Sequence, residues 1–320
     1  MIKTIKKGGV FAISLSVVLV AVVIFVPITA YFHVGLEKLP IQSQWAKYLI
    51  PFLCIIIQSV WFYRVIHNSR FFEQSSLLPW IIVLALLVSS PEQLMNWNTI
   101  MVNFIWLIFY QKLFYLQDQM LSHAQIFMET GILICVAFIF YPKAIYLLPL
   151  LFVMLNQFAA SDLNRFFLVI VSFLMVAISV LSIGYFYFSS DWIVAIPENL
   201  KLSVDINSLT QPRFLYPVIV WLSTLVLLIP VVYNQLSFMQ TKNRTIINML
   251  YLQILCVLGI TIFSGKSVSA SMAMAALPLA FIISWGVYHI KNRWLANVLV
   301  LLTVFALVLI QWTYMRGMSV

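Results

Sequence analysis

Charge is what this chain has least of. Only 8% of its 320 residues are Asp, Glu, Lys or Arg, and 9 of them are acids. A soluble domain of this length cannot hide a composition that is 63% hydrophobic. A mean hydropathy of +1.04 belongs to the polytopic membrane class. No polar stretch is long enough for a soluble domain, so residues 1–320 read as a single transmembrane domain. The net charge of +9 does not imply nucleic acid, because the cations fall in connections between apolar runs and form no basic patch. Cysteine is scarce as well. Cys54, Cys135 and Cys256 are odd in number, far apart and inside apolar segments, which excludes a disulfide framework and leaves small hydrophobes.

Metal and nucleotide signals are equally thin. His33, His67, His123 and His289 show no ligand spacing, so no metal site is expected. Ser264-Gly265-Lys266-Ser267 looks like the end of a phosphate-binding loop, but such a loop needs glycine where Ile260 stands. Neither a nucleotide nor any other cofactor is expected.

What is there is apolar segment after apolar segment. The first runs from Val10 to about Tyr31 behind Lys3, Lys6 and Lys7, and reads as an uncleaved signal anchor with a cytoplasmic N-terminus. Others fall near 48–63, 76–90, 98–116, 129–141, 144–158, 166–189, 213–233, 247–264, 271–289 and 295–313. The expected fold is therefore all-α, a transmembrane helix bundle of ten or eleven spans. Of the 18 cations, this threading puts Lys3, Lys6, Lys7, Arg64, Arg70, Lys112, Arg165, Lys242, Arg244, Lys291 and Arg293 inside. That majority fits the positive-inside rule for a bacterial inner membrane.

The stretch from Met128 to Phe167 reads as the organising element. Its halves, 130–141 and 144–158, meet at Tyr141-Pro142-Lys143. Segments of about 12–15 residues reach roughly 18–23 Å against a hydrocarbon core of about 30 Å. They form either two short spans, with Lys143 snorkelling to an interface, or a re-entrant hairpin over 129–158. Both return Glu129 to the side that holds Asp162 and Arg165, as a structural polar cluster. Residues 200–207 carry the chain's one alternating pattern, in a long outer loop that suits an interfacial segment. Polar residues within spans, such as Asn103, Gln111, Asn248 and Gln253, suit hydrogen bonds between helices.

Three functions are compatible with this pattern. The leading one is a non-catalytic scaffold or accessory subunit, since catalytic constellations and intramembrane charge are so sparse. Its partners would be the bilayer and other membrane proteins, met through aromatic faces around Trp61, Phe62, Trp80, Trp106 and Phe109. The second is a membrane glycosyltransferase using a polyprenyl-phosphate sugar. Its general base would be an outer-loop carboxylate, Glu37 or Glu92, with Arg213 or Lys201 on the lipid phosphate. The third is a lipid or small-molecule transporter with Glu129 as gate.

From Phe52 to about Phe173, and more loosely through the C-terminal third, the chain resembles a family of uncharacterised bacterial inner-membrane proteins. The resemblance rests on Phe127-Met128-Glu129-Thr130-Gly131, on Ala137 to Pro142, and on Asp162-Leu163-Asn164-Arg165-Phe166-Phe167. Pro278-Leu279-Ala280 and Asn292-Arg293-Trp294-Leu295 resemble its C-terminal part. Glutamate stands where the family usually has aspartate, and a tryptophan usual after the Arg or Asn is missing. Some family members carry a carotene-oxygenase label. Those enzymes resemble soluble propellers with a four-histidine iron site, which the scattered histidines here contradict. The resemblance implies a fold and an envelope setting, and no reaction.

Overall fold

A computed structural model describes residues 44–69, 71–72, 76–88, 97–115, 123–150, 153, 163–187, 200–204, 210, 212–239, 241–263, 268–290, 292 and 294–302. Within them the chain is helical. The helices are α1 (Gln44–Asn68), α2 (Leu78–Val88), α3 (Trp97–Tyr115), α4 (His123–Phe140), α5 (Leu163–Tyr187), α6 (Pro212–Leu236), α7 (Thr241–Ile262) and α8 (Val268–His289). A short helix, α9, follows over 294–302. The first apolar run, Val10 to Tyr31, lies outside the described residues.

Local chemistry sets the ends. Ser76 Oγ accepts the Leu78 amide at 3.3 Å and so caps α2. Asn292 Oδ1 does the same for Trp294 at 3.0 Å and opens α9. Pro212 starts α6, at a position where its missing N–H costs nothing. At Tyr141 the backbone turns extended (φ −143°, ψ 95°), and Pro142 begins a 3-10 helix, Pro142–Leu147. The helix therefore ends at the expected joint, Tyr141-Pro142-Lys143.

The segment leading into that joint is longer than expected. α4 begins at His123 and runs 18 residues, about 27 Å. Its polar first turns belong to the helix because Gln125 Nε2 donates to Glu129 Oε1 at 2.9 Å, one turn along. Lys143 also departs from its expected interfacial place: it is buried, beside Ala144 and Leu147.

Among the described residues, three helical stretches are long and apolar enough to cross a membrane: Phe167–Tyr185, Val218–Leu236 and Asn243–Ile262. Leu78–Leu87, Ala124–Phe140 and Met274–His289 are apolar but shorter. α2 is limited by its 11 residues, and α3 is diluted by Asn98, Asn103, Gln111 and Lys112.

Among the described residues, the element around which the others pack is α8. Every residue from Met274 to Val287 is buried, and α8 touches α7, α2, α6 and α3. Burial on every face makes α8 an enclosed helix. Phe281 forms a ring cluster with Phe71 and Phe114, at centroid distances of 5.0 and 5.8 Å. Pro278 sits inside this helix, where it withholds one amide from the Met274 carbonyl.

The expected aromatic faces turn out to be interior. Phe62, Trp106 and Phe109 are buried in the core. Trp61 and Trp80 are half-buried, and each is tied inward: Trp61 Nε1 donates to Gln111 Oε1 at 2.8 Å, and Trp80 Nε1 to Ser59 Oγ at 3.0 Å. An indole that must satisfy its N–H in a dry interior points to a partner helix. Aliphatic side chains face outward instead, chiefly on α5 and α6.

Candidate functional site

Two ring pairs and one hydrogen bond fix the sense of the first helices. Gln58 Nε2 donates to the Ile100 carbonyl at 2.7 Å, Trp61 lies tilted beside Phe104, and Phe71 meets Phe114 edge-on. Rising numbers on α1 meet rising numbers on α3, so the two helices run parallel and their C-terminal ends lie together. Those ends carry His67 and Lys112 in their last turns, and the Lys112 ammonium complements the helix dipole there.

Lys112 Nζ lies 2.7 Å from Glu129 Oε2, across the connection from α3 to α4. Glu129 is thus partnered by Lys112 and by Gln125. Asp162 lies outside the described residues, and Arg165 is placed as the third residue of α5. Both members of the ion pair are about one-third exposed. Such a pair contributes roughly 0–1 kcal/mol and serves mainly to register the α3–α4 corner.

Beside this corner lies a groove of about 480 Å³ between α1 and α3. Ile56, Ile57 and Val60 line its apolar part; Arg64, Asn68 and Gln111 line its polar part. Trp61 forms the wall between them and holds Gln111 by its carbonyl oxygen. Two further cavities, each of about 10 Å³, are apolar slots against Trp221 and Trp106.

The interior holds a second polar contact. Tyr110 OH donates to Gln253 Oε1 at 2.6 Å, joining α3 to α7 across 143 positions of sequence. Both residues are buried. The expected interhelical role of Gln111 and Gln253 is met, whereas Asn248 is exposed. Gln58, buried and bonded to α3, was not among the expected residues. The spacing Gln58, Trp61, Arg64, three residues apart on one helix, was the available signal for it.

The remaining expected residues scatter. Glu37 and Glu92 lie outside the described residues, as does the Ser264–Ser267 loop. Lys201 is exposed in an extended segment, 201–204, whose Ser203 amide donates to the Phe263 carbonyl at 3.0 Å. Arg213 is the second residue of α6. Cys54, Cys135 and Cys256 are free thiols, Cys135 fully buried. Among the described residues no three His, Cys, Asp or Glu side chains gather into a metal-binding group.

Burial pushes the Lys143 ammonium below the usual lysine range. A lower pKa would speed acylation, but access decides, since a reagent must reach the amine. An amine acylating agent applied to the detergent-solubilised protein is therefore expected to modify Lys201 fully before Lys143, read by peptide mass spectrometry. Equal modification of the two would contradict the buried placement.

Along its whole length, residues 1–320, the chain belongs to a family of unknown function (DUF6427). No curated protein and no solved structure matches it.

Proposed function

We propose that this family member is a polytopic integral protein of a bacterial inner membrane, with its N-terminus in the cytoplasm. Within that membrane it acts as a non-catalytic scaffold or accessory subunit of a complex. One observation supports this reading most directly: the outward faces of α5 and α6 are long, apolar and uncovered. Met175 and Ile178 on α5 are 63% and 62% exposed, and Tyr233 on α6 is 75% exposed. Soluble monomers rarely show contiguous apolar patches above a few hundred Å². Hydrocarbon or a partner helix is the surrounding such faces need.

The buried polar groups point the same way. Tyr110 with Gln253, and Trp61 with Gln111, fasten helices to each other. Ser172, Ser179, Thr224 and Thr261 each turn back on a carbonyl of their own helix, as hydroxyls do where water is absent.

Membranes washed with alkaline carbonate are expected to retain the full-length chain, and its release into the wash would remove the membrane reading. Purification in a mild detergent is then expected to bring down a reproducible stoichiometric membrane protein. A lone monomer after mild extraction would count against the scaffold role while leaving the membrane placement intact.

A further inference from the structure

We propose that the groove between α1 and α3 holds an anionic glycerophospholipid, its phosphate on Arg64 and one acyl chain along Ile57 and Val60. This rests on the membrane placement but not on the scaffold role. Leu53, Ile57, Val60, Arg64 and Asn68 follow at spacings of four, three, four and four, which sets them on one stripe of α1. Leu53 and Ile57 are 46% and 53% exposed, so the apolar part of the stripe is uncovered. Arg64 lies about 6 Å along the axis from Val60 and about 10 Å from Ile57, at 1.5 Å per residue. Charge therefore sits at the helix end and hydrocarbon toward its middle, the order in which a phospholipid presents its own parts.

The polar end suits a phosphate in particular. Arg64 is exposed, and among the described residues the recorded ion pair joins Lys112 to Glu129 and leaves Arg64 without a carboxylate. A guanidinium offers paired N–H donors that match phosphate oxygens. Trp61 occupies Gln111 Oε1, which orients the amide so that its nitrogen is left to donate into the groove. Basic pockets between helices at the cytoplasmic face are recognised lipid-headgroup sites. A volume of about 480 Å³ accommodates a phosphate headgroup and the first part of one chain, with the rest of the lipid left in the bilayer.

The test uses the full-length chain, purified in mild detergent, stripped of lipid and titrated with phosphatidylglycerol or phosphatidylcholine under native mass spectrometry. Phosphatidylglycerol is expected to bind about tenfold more tightly. Arg64→Gln is expected to reduce it to the phosphatidylcholine level, and Ile57→Trp, which fills the apolar track, to weaken both lipids. Lys201→Gln should change neither. Arg64 and Ile57 are surface residues, and thermal midpoints without lipid check that the variants fold. Independently, a photo-crosslinker in place of Ile57 is expected to label lipid in native membranes. Equal affinity for both lipids, or an unchanged affinity in Arg64→Gln, overturns the proposal. So does a crosslink from position 57 to the chain's own Val10–Tyr31 segment or to a second copy. Release by carbonate would instead remove the membrane reading, so the two failures are distinct.

Discussion

Gly131→Ala is expected to lower the thermal midpoint of the solubilised protein, and Gly131→Leu to abolish the folded species. A Cβ at this position would overlap Ser172 Oγ and the Val169 carbonyl oxygen of α5. The Ser172 hydroxyl is held by the Leu168 and Val169 carbonyls, so it has little freedom to retreat. The carbonyl is part of a helix backbone and has less. Alanine brings about 1 kcal/mol of better helix propensity, but forced overpacking costs roughly 1–3 kcal/mol even where side chains can adjust. Here the obstacle includes backbone, so the clash wins. Leucine would have to separate α4 from α5 altogether. Ser172→Gly is expected to rescue Gly131→Ala only in part, since it leaves the Val169 carbonyl in place. Thermal stability by size-exclusion chromatography reads all four proteins. A Gly131→Ala variant as stable as the parent would contradict the close crossing.

The second large effect is expected at Tyr110 and Gln253. Gln253→Leu leaves the Tyr110 hydroxyl buried and unbonded; Tyr110→Phe strands the Gln253 amide, whose Nε2 already lacks a partner. Leaving a buried polar group unsatisfied costs about 1–3 kcal/mol, whereas replacing both partners by apolar groups is close to neutral. Each single variant should therefore lose stability, and Tyr110→Phe/Gln253→Leu should recover most of it. Denaturation of the four proteins in one detergent closes the cycle. Losses that simply add would mean the contact between α3 and α7 does not form. The same cycle tests the threading, because the two residues stand far apart in sequence.

Much of the helix pattern was legible beforehand. The run at 98–116 became Trp97–Tyr115, and that at 271–289 became Val268–His289, because long apolar segments admit few other structures. α4 was placed too short, since the polar turn from His123 to Glu129 carries no apolar periodicity. The bonds of Gln125 and Glu129 to each other and to Lys112 make them helix residues. The enclosure of α8 was not legible, because hydropathy cannot tell a helix wrapped in protein from one wrapped in lipid. Trp106 and Phe109 were misplaced for the same reason: aromatic residues serve belts and cores alike. Gly131 was part of a recognisable motif, but its partners Val169 and Ser172 appear only once α5 is laid against α4. The groove was the least visible. Arg64 and Gln111 sit on helices separated by α2, and no local pattern couples them.

The late position of α8 bears on how the protein is made. α2 and α3 leave the ribosome long before Val268 does, yet both need α8 against them. Chains are synthesised N-terminus first, at about 5–20 residues per second. For the interval between Val88 and His289, the faces of α2 and α3 that α8 covers are without their partner. A nascent chain stalled before Val268 would leave those faces exposed to quality-control proteases until α8 is made and covers them.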